Sequence, residues 1–161
     1  RTDPAAIAGM TDATPALMRI AAATAPFVSR GDDSGTHKKE LALWHQAAVD
    51  AGARSTSWYR ESGSGMGATL NISAAMGAYT ITDRATWIAF GNKGDLTIVV
   101  QGDQALLNQY GVILVSPVKH AHVKARDGQT FIDWLTSSAG QALIGAFRVD
   151  GQQLFTPNAR Q

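Results

Sequence analysis

Short apolar runs alternate with helix-period segments along this chain, and in two places the passage from one to the other runs through a loop built almost entirely from small residues. "FVSRGDDSGTHKKE" covers residues 27–40, and "WYRESGSGMG" covers 58–67. Strands that alternate with helices bury their apolar faces best as an α/β sandwich, which argues against a helical bundle or a β-barrel. A helix leaves its first N–H groups without an internal partner, and a loop of Gly, Ser and Thr leading into it leaves them uncovered. Fold class and candidate chemistry therefore rest on the same two segments.

The other segments keep the alternation. "TDPAAIAGM" places Asp3 and Pro4 as the cap and first residue of a short helical turn, and "TPALMRIAAAT" repeats the device with Thr14 and Pro15 before a helix over 15–24. "PFV" at 26–28 is a short strand. After the first loop, His37, Leu41, Trp44 and Ala48 recur at helical spacing as the buried face, Lys38, Lys39 and Gln46 fall away from it, and Gly52 stands as the C-cap. Leu70, Ala74 and Met76 mark the core side of the helix after the second loop. "AYTIT" then reads as a strand, "DRATWIAFG" as a helix capped by Thr82, and "LTIVVQ" at 96–101 and "YGVILVSP" from 110 as apolar strands. "QTFIDWLTSSAGQALIGAF" reads as two helices broken at Thr136-Ser137-Ser138, followed by an extended close. The change of character near residue 110 predicts a boundary between 1–110 and 111–161.

The first loop admits three readings. As an adhesion tripeptide, Arg30-Gly31-Asp32 would need an extended tip, yet it leads straight into a helix. As a calcium loop it has the wrong spacing, because Asp32 and Asp33 are adjacent and Gly35 follows too soon. As an anion cradle every part donates: Arg30 supplies a charged fork, Ser34 and Thr36 supply hydroxyls, and Gly35 allows close backbone approach at the positive end of a helix. An ordinary cap by Ser34 with a solvated Arg30 stands beside that reading. The second loop adds hydroxyls and glycines before another helix, which favours the anion if the two helix starts converge. His120 and His122 form a His-x-His pair without a third ligand, and His37 and His45 read as core or boundary histidines. Asn71-Ile72-Ser73 matches a glycosylation acceptor but lies on a predicted helix. With no Ser-His-Asp constellation in view, neither catalysis nor a metal or cofactor is expected.

Charge narrows the partners. Lys plus Arg number 14 against 13 Asp plus Glu, so there is no broad basic field for a nucleic acid, and any anion must be held locally. The chain has no Cys, which removes disulfides and thiolate metal sites, and no apolar run approaches the ~20 residues of a membrane helix.

"PFVSRGDDSGTHKKELALW", "WYRESGSGMGATLNIS", "GAYTITDRATW" and the tail "FIDWLTSSAGQALIGAFRVDGQQLFTPNA" together resemble the tungstate-binding, TupA-type extracellular solute-binding proteins of bacterial ABC importers. The resemblance implies a type II periplasmic-binding-protein fold, in which two α/β lobes joined by two hinge strands close around a tetrahedral oxyanion. On that pattern residues 1–110 form one three-layer α/β/α ligand-binding lobe, and 111–161 form a hinge strand and the returning C-terminal helical segment of the other lobe. The Thr- and Ser-rich segment with which such proteins begin has no counterpart here, so the chain is expected to be a piece lacking it. The family motif carries Arg30, Ser34, Gly35 and Thr36 over as oxyanion donors, with Ser29 and, in the second loop, Ser64, Gly65 and Gly67 as further candidates. It also implies a membrane permease as partner and a periplasmic or extracellular location, soluble or lipid-anchored. Phosphate-binding relatives carry a similar R-x-D-x-S-G-T pattern whose Asp accepts from protonated phosphate, so phosphate and molybdate stand as alternatives to tungstate. A truncated interaction or regulatory module is a further one. Tungstate brings no proton at neutral pH, so Asp32 and Asp33 are expected to turn back on the loop or on Arg30.

One wall of an oxyanion site is a weak site, and the tail presents Phe131, Trp134, Leu135, Leu143, Ile144 and Phe147 as an apolar face. The isolated chain is therefore expected to bind tungstate poorly and to self-associate. Sedimentation velocity combined with tungstate titration checks both; a monomer that binds as tightly as a two-lobed relative would refute the expectation.

Overall fold

Strand β1 (Phe27–Ser29) is buried along its whole length, as a strand covered on both faces must be. It pairs in parallel with β2 (Tyr59–Glu61), with Phe27 opposite Tyr59 and Ser29 opposite Glu61. On the other edge the Val28 N–H donates to the Tyr79 carbonyl at 2.8 Å, so the order across the sheet is β2, β1 and then the chain at Tyr79. The structure, a computed structural model, describes residues 2–52 and 57–159. The chain divides into two units, Arg1–Asn108 and Gln109–Gln161.

In the first unit α1 (Ala13–Ala22) packs on α2 (Gly35–Gln46), α3 (Met66–Met76) packs on β1, and a short α4 (Arg84–Ala89) follows. Helix α1 buries Ala13, Ala16, Leu17, Ile20 and Ala21, the stripe expected of an amphipathic helix. Asp103 accepts the N–H of Ala13 at 2.7 Å and so caps this helix from far along the chain. The centre of the core is aromatic: Phe27 lies 5.1 Å from Trp44 edge-on and 5.7 Å from Tyr59 stacked, and Trp58 closes on both Trp44 and Tyr59.

A carboxylate sits inside this cluster. Glu40, 1% exposed, accepts hydrogen bonds from the Ser29 hydroxyl at 2.7 Å, the Tyr59 hydroxyl at 2.8 Å and the Trp44 indole N–H at 3.2 Å. Burial pushes its pKa above the usual range while the three donors pull it back. Burial also raises Tyr59, and the neighbouring Glu40 charge adds to the rise.

Several expected elements end differently. The turn at Asp3 and Pro4 does not become helical; Asp3 instead accepts the N–H of Ala8 at 2.8 Å and the hydroxyl of Tyr79. Helix α1 begins at Ala13 after Asp12, so Thr14 lies inside it. Helix α2 stops at Gln46, and its inner face is Glu40, Leu43 and Trp44, leaving Leu41 and Ala48 exposed. Asp83, not Thr82, caps α4, accepting the Thr86 N–H at 2.8 Å. Of 78–82 only Tyr79 bridges to the sheet, and among the described residues neither 96–101 nor 110–117 forms a strand. The 96–101 run takes a backbone bond from Gly9 to the Val99 carbonyl at 3.3 Å, but among the described residues no ladder forms on either run.

The second unit holds α5 (Ala125–Thr136), α6 (Ser138–Ala146) and a hairpin of β3 (Arg148–Val149) and β4 (Gln152–Gln153). The break between the helices falls at Ser137, whose hydroxyl accepts the Gly140 N–H at 3.2 Å. Gly140 is required there: a Cβ would come within 2.2 Å of the Trp134 carbonyl oxygen. Phe131, Trp134, Leu143 and Phe147 are exposed. Among the described residues no helix is long and apolar enough to cross a membrane.

Replacing Glu40 by Ala would leave three buried donors unanswered, each costing on the order of 1–3 kcal/mol. Glu40→Ala is expected to lower unfolding stability by at least about 3 kcal/mol, and Glu40→Gln, which keeps one acceptor oxygen, by less. Urea unfolding at pH 7 with unchanged slope measures this; a loss of under ~1 kcal/mol for Glu40→Ala would show that the donors find other partners.

Candidate anion site

Because β1 and β2 run parallel, both end on the same edge of the sheet, and the loops that follow them leave side by side. The carboxyl edge of parallel strands is where open α/β folds place their ligands. The two loops are laced together: the Ser62 N–H donates to the Ser29 carbonyl at 2.9 Å, and the Ser64 N–H and the Ser62 hydroxyl both donate to the Arg30 carbonyl, at 3.2 and 3.1 Å. Thr69, fully buried one turn into α3, holds the second loop from below through Ser62 Oγ at 2.8 Å and the Gly65 carbonyl at 3.1 Å.

Two helices therefore point their N-termini at one edge. The N–H groups of Gly35 and Thr36 at the start of α2, and of Met66 and Gly67 at the start of α3, have no acceptor among the described residues. Gly65, as N-cap of α3, brings no side chain that could cover them. Each helix start carries roughly half a positive charge, so the pair gives this edge a positive potential that comes from backbone groups.

Of the two acidic residues of the first loop, Asp32 is turned onto the loop itself. Arg30 Nε donates to Asp32 Oδ2 at 3.0 Å, Arg30 Nη2 donates to the same oxygen, and Asp32 Oδ1 accepts the Ser34 N–H at 3.2 Å. Hydrogen bonding from the Ser34 side chain, aided by Arg30, holds Asp32 down at about 2. The Arg30 fork is thus engaged with Asp32 through Nε and Nη2, and Nη1 takes no part in that pairing. Asp33 lies in solvent, 3.4 Å from the Lys38 ammonium.

Of the residues read from the sequence, Arg30, Ser34, Gly35, Thr36, Ser64, Gly65 and Gly67 come together on this edge, but their parts differ. Ser34 caps α2, accepting the His37 N–H at 3.2 Å, and Ser64 donates its hydroxyl to the Ser62 carbonyl, so both hydroxyls build the loops. Ser29 does not open on the edge, because its hydroxyl is fully buried and donated to Glu40. Sequence reading missed Ser62 and Thr69, which join the loops, and Glu40 beneath them; the only signal was a polar residue directly after each strand and a Glu four residues before a core Trp. Among the described residues no group of three or more His, Cys, Asp or Glu is placed to hold a metal ion.

Comparison with known proteins bears on what occupies such an edge. A family model described as a PBP superfamily domain matches residues 1–139. A Haloferax volcanii protein named for an anion-binding role in an ABC transporter is 47% identical over 98% of this chain and 46% of its own length. The tungstate-binding protein TupA of Peptoclostridium acidaminophilum is 43% identical over 92% of this chain and 51% of its own. The structure of the tungstate-binding protein TupA from Desulfovibrio alaskensis G20 superposes with a TM-score of 0.81 at 45% identity, covering 98% of this chain and 64% of that one. The chain spans about half the length of the curated relatives it matches.

The Asp32 geometry sets a pH dependence. A carboxyl held near 2 against an ordinary 3.8 contributes stability that is present above the ordinary value and is lost as pH falls toward 2. Asp32→Asn is expected to melt at lower temperature than the wild type at neutral pH, with the gap closing between about pH 4 and pH 2. Melting curves across that range decide it; a gap that does not change with pH would show that Asp32 is not held ionised by the loop.

Proposed function

Because this chain belongs to the PBP superfamily and is of the TupA type, we propose that it forms the oxyanion-binding part of a solute-binding protein serving an ABC importer, with tungstate as the ligand. Its first unit is an α/β lobe of the type II kind. On this reading residues 1–110 supply one wall of the site, 111–161 supply a hinge strand and a returning segment of the opposite lobe, and the complete protein works outside the cytoplasm with a membrane permease.

The observation that carries the choice of ligand is the engagement of Asp32. A protonated phosphate needs an acceptor for its proton, and the acid in the matching place is committed on both oxygens, to Arg30 and to Ser34. What remains toward the edge are donors: the N–H groups of Gly35, Thr36, Met66 and Gly67, the Thr36 hydroxyl and Arg30 Nη1. A site in which donors predominate suits an oxyanion that is fully deprotonated at neutral pH, and a ligand O–H facing it has only the Thr36 hydroxyl among these groups to accept it.

Calorimetric titration of the complete protein with tungstate, molybdate and phosphate tests this. Tungstate and molybdate are expected to bind at least about a hundredfold more tightly than phosphate, which is the effect of one or two unmet hydrogen bonds. Arg30→Lys should weaken tungstate binding by about tenfold and narrow the ranking, since a single point charge cannot hold Asp32 and face the anion together. Phosphate binding as tightly as tungstate would overturn the assignment.

A further inference from the structure

His37 is nearly buried at the anion edge, with a side chain 12% exposed, and its ring is held on one side only. Its Nδ1 accepts the N–H of Asp33 at 3.2 Å. A ring nitrogen that accepts carries no proton, so the neutral imidazole here has its proton on Nε2. That Nε2 is buried without a hydrogen-bond partner among the described residues, and it lies 4.0 Å from Glu61 Oε1 at the end of β2.

Position explains the contact. His37 is the third residue of α2, and its own N–H goes to the capping hydroxyl of Ser34. Its side chain reaches back to the N–H just before the cap. This differs from a capping box by one residue, because the side chain takes the N–H of Asp33 while the N–H of the cap Ser34 goes to Asp32. The residue it grips needs holding, because Asp33 sits at φ 59° and Gly31, two positions earlier, at φ 61°. A non-glycine residue in the left-handed region persists only where its surroundings fix it.

We propose that His37 is the positioning residue of the anion site: through Nδ1, in the Nε2–H tautomer, it fixes the left-handed turn at Asp33 and so aims the N–H groups of Gly35 and Thr36. It does not touch the ligand. The consequence for binding rests on the oxyanion reading above, whereas the tautomer and the hold on Asp33 do not.

Asn and Gln separate the two ring nitrogens, since Asn places an acceptor where Nδ1 stands and Gln places one where Nε2 stands. In the complete protein, His37→Asn is expected to keep tungstate affinity within about threefold of the wild type, while His37→Gln and His37→Leu lose about tenfold, the effect of one hydrogen bond. Long-range proton–nitrogen spectra of the wild-type ring at pH 7.5 should show Nδ1 unprotonated and Nε2 protonated. A protonated Nδ1, or His37→Asn falling as far as His37→Leu, overturns the proposal. Should the wild type bind no oxyanion, the functional reading fails, and the positioning role is decided by the ring spectrum together with exchange protection of the Asp33 amide. Protection kept in His37→Asn and lost in His37→Leu supports it, and equal protection in both refutes it.

Discussion

Everything at the anion edge is anchored by a carboxylate that does not reach water. Glu40 belongs to α2, takes its donors from β1 through Ser29 and from β2 through Tyr59, and is braced within its own helix by Trp44. A buried carboxylate is costly unless each partner stands in place, so the three elements are held to one mutual arrangement rather than to a family of similar ones. The alternation of strand side chains carries this further. Phe27, Ser29, Tyr59 and Glu61 share the face that meets α2, and a slip of β2 by one residue against β1 would turn Tyr59 and Glu61 away from it.

With the register fixed, the loops have little freedom left. Each begins one residue after a strand whose end is already placed, and the Ser62 and Ser64 contacts with Ser29 and Arg30 join them before either helix starts. The electrostatic arrangement follows from that economy of partners. Four acidic side chains lie near the edge, and each has a described interaction: Glu40 in the aromatic core, Asp32 with Arg30 and Ser34, Asp33 with Lys38, and Glu61 beside His37. The field at the two helix starts is then governed by peptide dipoles.

The sequence reading captured the strand–loop–helix plan because Gly and Ser clusters punctuate it and because β1 is too short and apolar to be anything but covered. It erred where local pattern and packing part company. A buried Glu at position 40 breaks the apolar periodicity of α2, so the stripe through His37, Leu41, Trp44 and Ala48 is right at Trp44 and misses at Leu41 and Ala48, where Glu40, Leu43 and Ala47 are buried instead. The runs at 96–101 and 110–117 have strand composition, but a strand is a property of two segments, and composition says nothing of the second. Ser34 reads as a donor from its hydroxyl and from the family motif, and Ser29 as a further candidate beside that motif; which partner a hydroxyl serves depends on residues distant in the chain.

The close approach at Gly31 has a consequence for inheritance. A Cβ there would stand 2.7 Å from the Cβ of Glu61, and the backbone already sits at φ 61°. Two barriers of different origin close this position, one steric and one torsional. A change of Glu61 to Gly would lift the first and leave the second, a torsional cost on the order of 1–2 kcal/mol for a side chain at 31. The two sites are therefore linked unequally: a glycine at 31 leaves position 61 free, while a side chain at 31 must both clear the Cβ of residue 61 and hold a left-handed backbone of the kind Asp33 holds two positions on.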